Sequence, residues 1–218
     1  MAFQLPLENI ASHPETRAAI AAARDAVGAA SRVPTVIRRP DFYSAHAAKQ
    51  AAQASCKLDP GGSVASVLEV FGMVDEAAAR RLRTQPLAVL ARMDVVLGGN
   101  GTPVSRPDAV LAVPAVIRAG GDGFFATAAT HALIASAKPF GPRSGHIARA
   151  AARVVALHTG ADPHNIAHTE SFLSRHPDSY RQMLAGACDE AGMRAVVVGY
   201  LDAMASGALA AQRLAQAG

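Results

Sequence analysis

Apolar residues recur along this chain at intervals of three and four, the spacing of one helix face. Ile20, Ala23 and Val27 set the pattern in a first helix, with Ser12 as its cap and Pro14 in its first turn, running toward Ala30. Ser31 to Pro40, holding Pro34 and Pro40, reads as a linker that blocks helix. Asp41 then caps a second helix toward Ala54, and Pro60-Gly61-Gly62 ends it. Ser63 caps a short helix to Val70, Asp75 opens one over Val74 to Arg83, and Pro86 starts one toward Leu97. Pro107-Asp108 begins a helix toward Ala119 that must kink or break at Pro114, and Gly120 to Gly123 ends it. Gly123 to Ala137 follows, stopped by Lys138-Pro139. A helix from Ser144 to His158 is closed by Gly160 and Pro163. Asn165 to Leu173, Asp178 to Ala191 and Met193 to Gln216 complete a series that is helical throughout.

The strongest turn signal is Gly98-Gly99-Asn100-Gly101-Thr102-Pro103. Asn-Gly favours the positive φ angles of a hairpin turn, so this is either a small hairpin flap or a plain loop. The fold class is all-α, and no internal period of repeat length marks a solenoid.

Composition sharpens that picture. Half of the 218 residues are hydrophobic, alanine dominates and Trp is absent. Alanine is the best helix former and lets helices approach closely, which favours helix-on-helix packing and makes a homodimer an option. The net charge is only +4, with the arginines scattered. A nucleic-acid partner calls for a denser basic stripe with aromatics between, so none is expected; a small anionic ligand suits the balance. Met1 to Ile10 lacks the pattern of a signal peptide, and no run of roughly 18 apolar residues predicts a membrane span. With only Cys56 and Cys188, a disulfide framework is not expected and a reducing cytoplasm is.

Candidate chemistry gathers in Lys138-Pro139-Phe140-Gly141-Pro142-Arg143-Ser144-Gly145-His146-Ile147-Ala148-Arg149, a glycine-containing loop between two helices. In the second helix Ile147, Ala151, Val154 and Val155 form an apolar stripe, while His146, Arg149 and Arg153 share another face. A helix start offers unpaired N–H groups and the positive end of the dipole. With Arg143, Ser144, Gly145, His146 and Arg149 around it, this start reads either as a phosphate site or as an ordinary helix–loop–helix with a solvated basic face.

The same stretch resembles the signature loop of the Fic (Fido) family, His-Pro-Phe-x-(Asp/Glu)-Gly-Asn-Gly-Arg-x-x-Arg between two helices. Pro139 and Phe140, Gly145 and Arg149 match it; the preceding helix with His131, the run Leu157 to Gly160 and the Tyr180-Arg181 pattern also fit, so the likeness covers roughly residues 85 to 205. It is most similar to short, Ala-rich, actinobacterial-type members with an eroded motif. The resemblance implies a Fic-like helical bundle with a core over 85–218 and an N-terminal helical region over 1–84.

The departures bear on activity. The family's motif histidine is a general base, and Lys138 stands there; a lysine is protonated near neutral pH and is a poor base. The motif acid holds Mg²⁺, and Pro142 stands there with no ligand to offer. Arg143 replaces the first glycine, Ser144 the Asn and His146 the first Arg. Ordinary AMP transfer from Mg·ATP is therefore not expected. The resemblance implies a nucleotide- or phosphate-binding pseudoenzyme or regulatory partner using Phe140, Arg143, Ser144, Gly145, His146 and Arg149, with an ATP-like nucleotide as ligand. The alternatives are an altered transferase with Lys138 or His146 as base, or a structural interaction module.

The family also carries an inhibitory helix, (Ser/Thr)-x-x-x-Glu-(Gly/Asn), and Ser55-Cys-Lys-Leu-Asp59-Pro-Gly61 faintly resembles it, against the plainer reading of a helix end. Elsewhere His158, His164, His168 and His176 lie near Glu170, but no third ligand completes a metal set and capping or surface roles suit them better. No nucleophile elbow, Walker loop or dinucleotide fingerprint occurs.

Overall fold

The computed structural model describes residues 6–119 and 121–217. The first part of the Met1 to Ile10 stretch and Gly120 lie outside the described residues. In chain order the elements are α1 (Leu7–Ser12), α2 (Pro14–Ser31), α3 (Pro34–Arg38), α4 (Pro40–Leu58), α5 (Val64–Gly72), α6 (Glu76–Leu82), α7 (Pro86–Val96), α8 (Pro107–Ala119), α9 (Gly123–Ala137), α10 (Ser144–Thr159), α11 (Thr169–Leu173), α12 (Pro177–Ala185) and α13 (Glu190–Ala217). A 3-10 turn, Gly141–Arg143, joins α9 to α10. Among the described residues there is no strand.

The centre is α9 paired with α10. Every residue of α9 from Phe124 to Ala135 is buried, so it is a core helix enclosed on all sides rather than an amphipathic surface helix. Beside it, α13 also lies along α2; α8 packs on α9, and α4 to α7 cover α10. One hydrophobic core runs from Ile10 to Ala215, so the 1–84 and 85–218 regions share it.

Several boundaries differ from the sequence expectation. His13, not Ser12, caps α2, its Nδ1 accepting from Glu15 N at 3.3 Å. The 31–40 linker contains α3, and α4 begins at Pro40. Both Pro34 and Pro40 open a helix, where a missing N–H costs nothing, instead of blocking one. α8 runs through Pro114 without breaking. Helix is absent from Asn165 to His168 because Asn165 is left-handed (φ 49°) and the buried Asp162 carboxylate takes the Ile166 and Ala167 amides at 3.2 and 2.8 Å. The Gly98 to Pro103 segment is a plain loop, not a flap: the Asp94 carboxylate accepts from Gly101 N at 3.0 Å and Asn100 Oδ1 from Thr102 N at 3.0 Å.

α13 is the exception to the expectation that no stretch reaches membrane-spanning length and hydropathy: its 28 residues include an 18-residue window of mean hydropathy 1.3. Half of that window is buried within the protein, with Val196, Val197, Tyr200, Leu201 and Met204 facing the core.

Candidate functional site

α9 ends because Lys138 takes a left-handed conformation (φ 50°), its amide bonding Ile134 O at 3.1 Å, with Pro139 next. Phe140 is fully buried, so it anchors the loop in the core and presents no free ring face. Its amide donates to Ser144 Oγ at 2.8 Å, which closes the loop onto the first residue of α10. Gly141, at φ +59°, makes the bend that a side chain would strain.

Among the described residues Arg149 is the largest fully buried side chain. Its Nε and Nη2 donate to Ser55 Oγ at 3.0 and 2.8 Å, and Nη2 donates to Asp59 Oδ2 at 2.7 Å. Ser55 comes from α4, and Asp59 follows that helix as its C-cap residue. The Ser55 hydroxyl lies 2.7 Å from His146 Nδ1. Since arginine only donates, the Ser55 proton points to Nδ1, and His146 is the neutral tautomer protonated on Nε2. Burial, and then the Arg149 charge, push the His146 pKa down to about 4. Against a usual value near 6.5 such a ring is uncharged at neutral pH and a weak proton acceptor.

The rest of the cluster comes from α9, α12 and α13. His131 Nε2 is 2.8 Å from the Tyr180 hydroxyl, and its ring stacks on Tyr200 with centroids 4.2 Å apart. Burial raises Tyr180 to about 12 even though Arg149 favours its ionised form. Burial opposes the charge on Arg149, yet Tyr180 and Asp59 outweigh it and leave the guanidinium firmly protonated. Arg149 Nη1, His146 Nε2 and His131 Nδ1 are buried without hydrogen-bond partners. In a compact core such atoms are rare and mark places where a water or ligand atom belongs.

The α4–α5 turn closes over this helix start. A Cβ on Gly145 would collide with Asp59 Oδ2, and one on Gly61 would lie 2.6 Å from the Pro142 carbonyl. Gly145 thus admits a carboxylate against the first turn of α10, the end of a helix that favours an anion. Arg181 Nη2 holds the end of α4 from α12, donating to Leu58 O at 3.2 Å.

The other predicted residues lie elsewhere. Arg143 turns toward α7, its Nε 2.6 Å from Oδ1 of the fully buried Asp94, so Arg143 and Arg149 serve separate carboxylates. Lys138 is exposed and lines a cleft that His146 and Arg149 do not share. His158, His164, His168 and His176 form no metal-binding group; among the described residues no three His, Cys, Asp or Glu side chains gather in one. Sequence reasoning missed Asp94. Its signal was an acid among the apolar residues Val89, Leu90 and Met93 of one short helix. It also missed the buried pair of Arg153 and Glu170, 3.1 Å apart.

Clefts of about 310, 240 and 410 Å³ open on the surface, and none is lined by Arg143, Ser144, Gly145, His146 or Arg149. No known family model matches the chain, and neither does any curated protein.

Proposed function

We propose that this chain is a Fic-like regulatory module whose nucleotide- or phosphate-binding site, at the start of α10, is held shut by its own Asp59. The observation that carries the reading is the Asp59 carboxylate against Gly145 and on Arg149. A carboxylate there stands where a phosphate oxygen would sit, satisfying the guanidinium and the positive end of the helix. The unpartnered Nη1 of Arg149 supports the same reading, because its N–H groups are left for a further oxygen. Opening the site means swinging Asp59 outward, and its side chain is already 28% exposed.

Transfer chemistry is not part of this reading. His146 is neutral, buried and occupied at Nδ1 by Ser55, so it is a poor base. Pro142 offers no metal ligand, and the nearby Asp59 is engaged by Arg149. These residues do not fit a Mg²⁺-bound phosphate. A closed module of this kind acts through a protein partner that senses whether the site is open.

Titrating ATP, and separately inorganic phosphate, by calorimetry into wild-type protein and Asp59→Ala tests the proposal. Saturable binding is expected to be weak or absent in the wild type and at least tenfold tighter in Asp59→Ala. Arg149→Gln, added to Asp59→Ala and checked for helicity by circular dichroism, should abolish it. A folded Asp59→Ala protein that binds neither ligand at millimolar concentration overturns the reading and leaves a purely structural interaction module.

A further inference from the structure

The cleft of about 410 Å³ lies where the loop before α8, the end of α9 and the turn after α12 meet. It shares no residue with the Arg149 cluster. Arg106, Ser136, Lys138, Leu184, Ala187 and Cys188 supply its chemistry. Backbone pairing builds one wall: Val104 N donates to Pro139 O at 2.8 Å and Ser105 Oγ to Lys138 O at 2.9 Å. That lacing brings two cationic residues side by side, Arg106 (φ 43°) and Lys138 (φ 50°), both left-handed without being glycine. Non-glycine residues pay strain in that region and persist there only when the surroundings impose it, a pattern common at ligand clamps.

The lining is chemically lopsided. No carboxylate lines the cleft, and Arg106 pairs with Asp108 at 3.4 Å, which leaves Lys138 as the excess positive charge. Ser136 contributes a buried hydroxyl that has no hydrogen-bond partner. Leu184, Ala185 and Ala187 form an apolar opposite wall. We infer that this cleft binds a small organic anion, one carboxylate or phosphoryl group on a short apolar body. Its charged end meets Lys138 and the Ser136 hydroxyl, and its tail lies on Leu184. The volume fits a ligand of metabolite size. The exposed Cys188 thiol lines the same cleft and serves as reporter.

The experiment follows alkylation of Cys188 by iodoacetamide in a Cys56→Ser background, where the thiolate sulfur displaces iodide and forms a thioether. Sodium butyrate and butyl phosphate are added separately as competitors. At least one should slow the reaction several-fold and saturably, and the one that does identifies the carboxylate or the phosphate as the recognised group. Lys138→Gln should remove the protection, and Lys138→Arg should keep most of it. If neither anion slows alkylation, or if protection persists undiminished in Lys138→Gln, the inference is wrong. Because Asp59 and Arg149 are untouched, this result and that of the ATP titration are independent.

Discussion

Gly145 makes the contact between Asp59 and Arg149 sterically possible, and its effect can be separated from ordinary helix energetics. In the first turn of α10 an alanine is intrinsically better than glycine by up to about 1 kcal/mol. Here the added Cβ would meet the Asp59 carboxylate, so Gly145→Ala must drive Asp59 off the buried guanidinium. The net cost should be about 2 kcal/mol, because Arg149 keeps Ser55 and loses its charged partner. In an Asp59→Ala background the clash is gone, and Gly145→Ala should turn neutral or stabilising. Urea denaturation of the four proteins measures this, and an additive cycle would count against direct contact between Asp59 and residue 145. At this scale the sequence was legible in part. Arg149 stood out because a helix start with glycine and arginine has known chemistry, and Ser55 with Asp59 only through a faint resemblance to the inhibitory helix of the Fic family. That the arginine would be buried and already paired was not legible, since its partner lies ninety residues upstream in sequence, just past the end of another helix.

At the scale of elements, the central helix α9 depends on its start. Asp122 caps it, with Oδ1 accepting from Phe124 N at 2.9 Å and Phe125 N at 3.4 Å, and it also pairs with Arg24 of α2. Asp122→Ala should therefore cost about 1–2 kcal/mol, the upper part of the usual capping range, because an anion is lost from the positive end of a helix. Asp122→Asn keeps the cap and should cost a few tenths of that. Thermal denaturation of the two variants separates the cap from the charge. The helices themselves were largely readable, because apolar spacing agrees with a boundary residue in each: Ser63 before α5, Pro86 opening α7, Lys138-Pro139 after α9 and Gly160 after α10. Misreadings arose where one residue type has two meanings. Pro34 and Pro40 terminate a helix from inside and initiate one from its first turn, and only the packing of Val36 and Tyr43 into the core selects the second. Asn165 to His168 carried helical composition, yet Asp162 captured the amides that a first helical turn leaves unpaired.

Across the whole molecule, the question is whether residues 1–84 and 85–218 are separable. The physical ties run against separation. α2 lies along α13, Ser55 and Asp59 satisfy Arg149, and Thr35 Oγ1 donates to Ala215 O at 2.7 Å near the far end of the chain. Taking the first region away would leave the Arg149 charge buried without its carboxylate, which costs several kcal/mol, a large fraction of a domain's total stability. The chain should therefore unfold as one cooperative unit. Its three tyrosines and absence of tryptophan make this measurable: Tyr43 lies on α4, Tyr180 on α12 and Tyr200 on α13, all buried. Tyrosine fluorescence and far-ultraviolet circular dichroism should give coincident urea transitions. In Tyr43→Phe the fluorescence reports only on the 85–218 side, and its midpoint should still match the circular dichroism of the whole chain. Two transitions, with the fluorescence of Tyr43→Phe following the later one, would mean that the Asp59–Arg149 contact joins two domains that fold independently, and that contact would then lie in a domain interface.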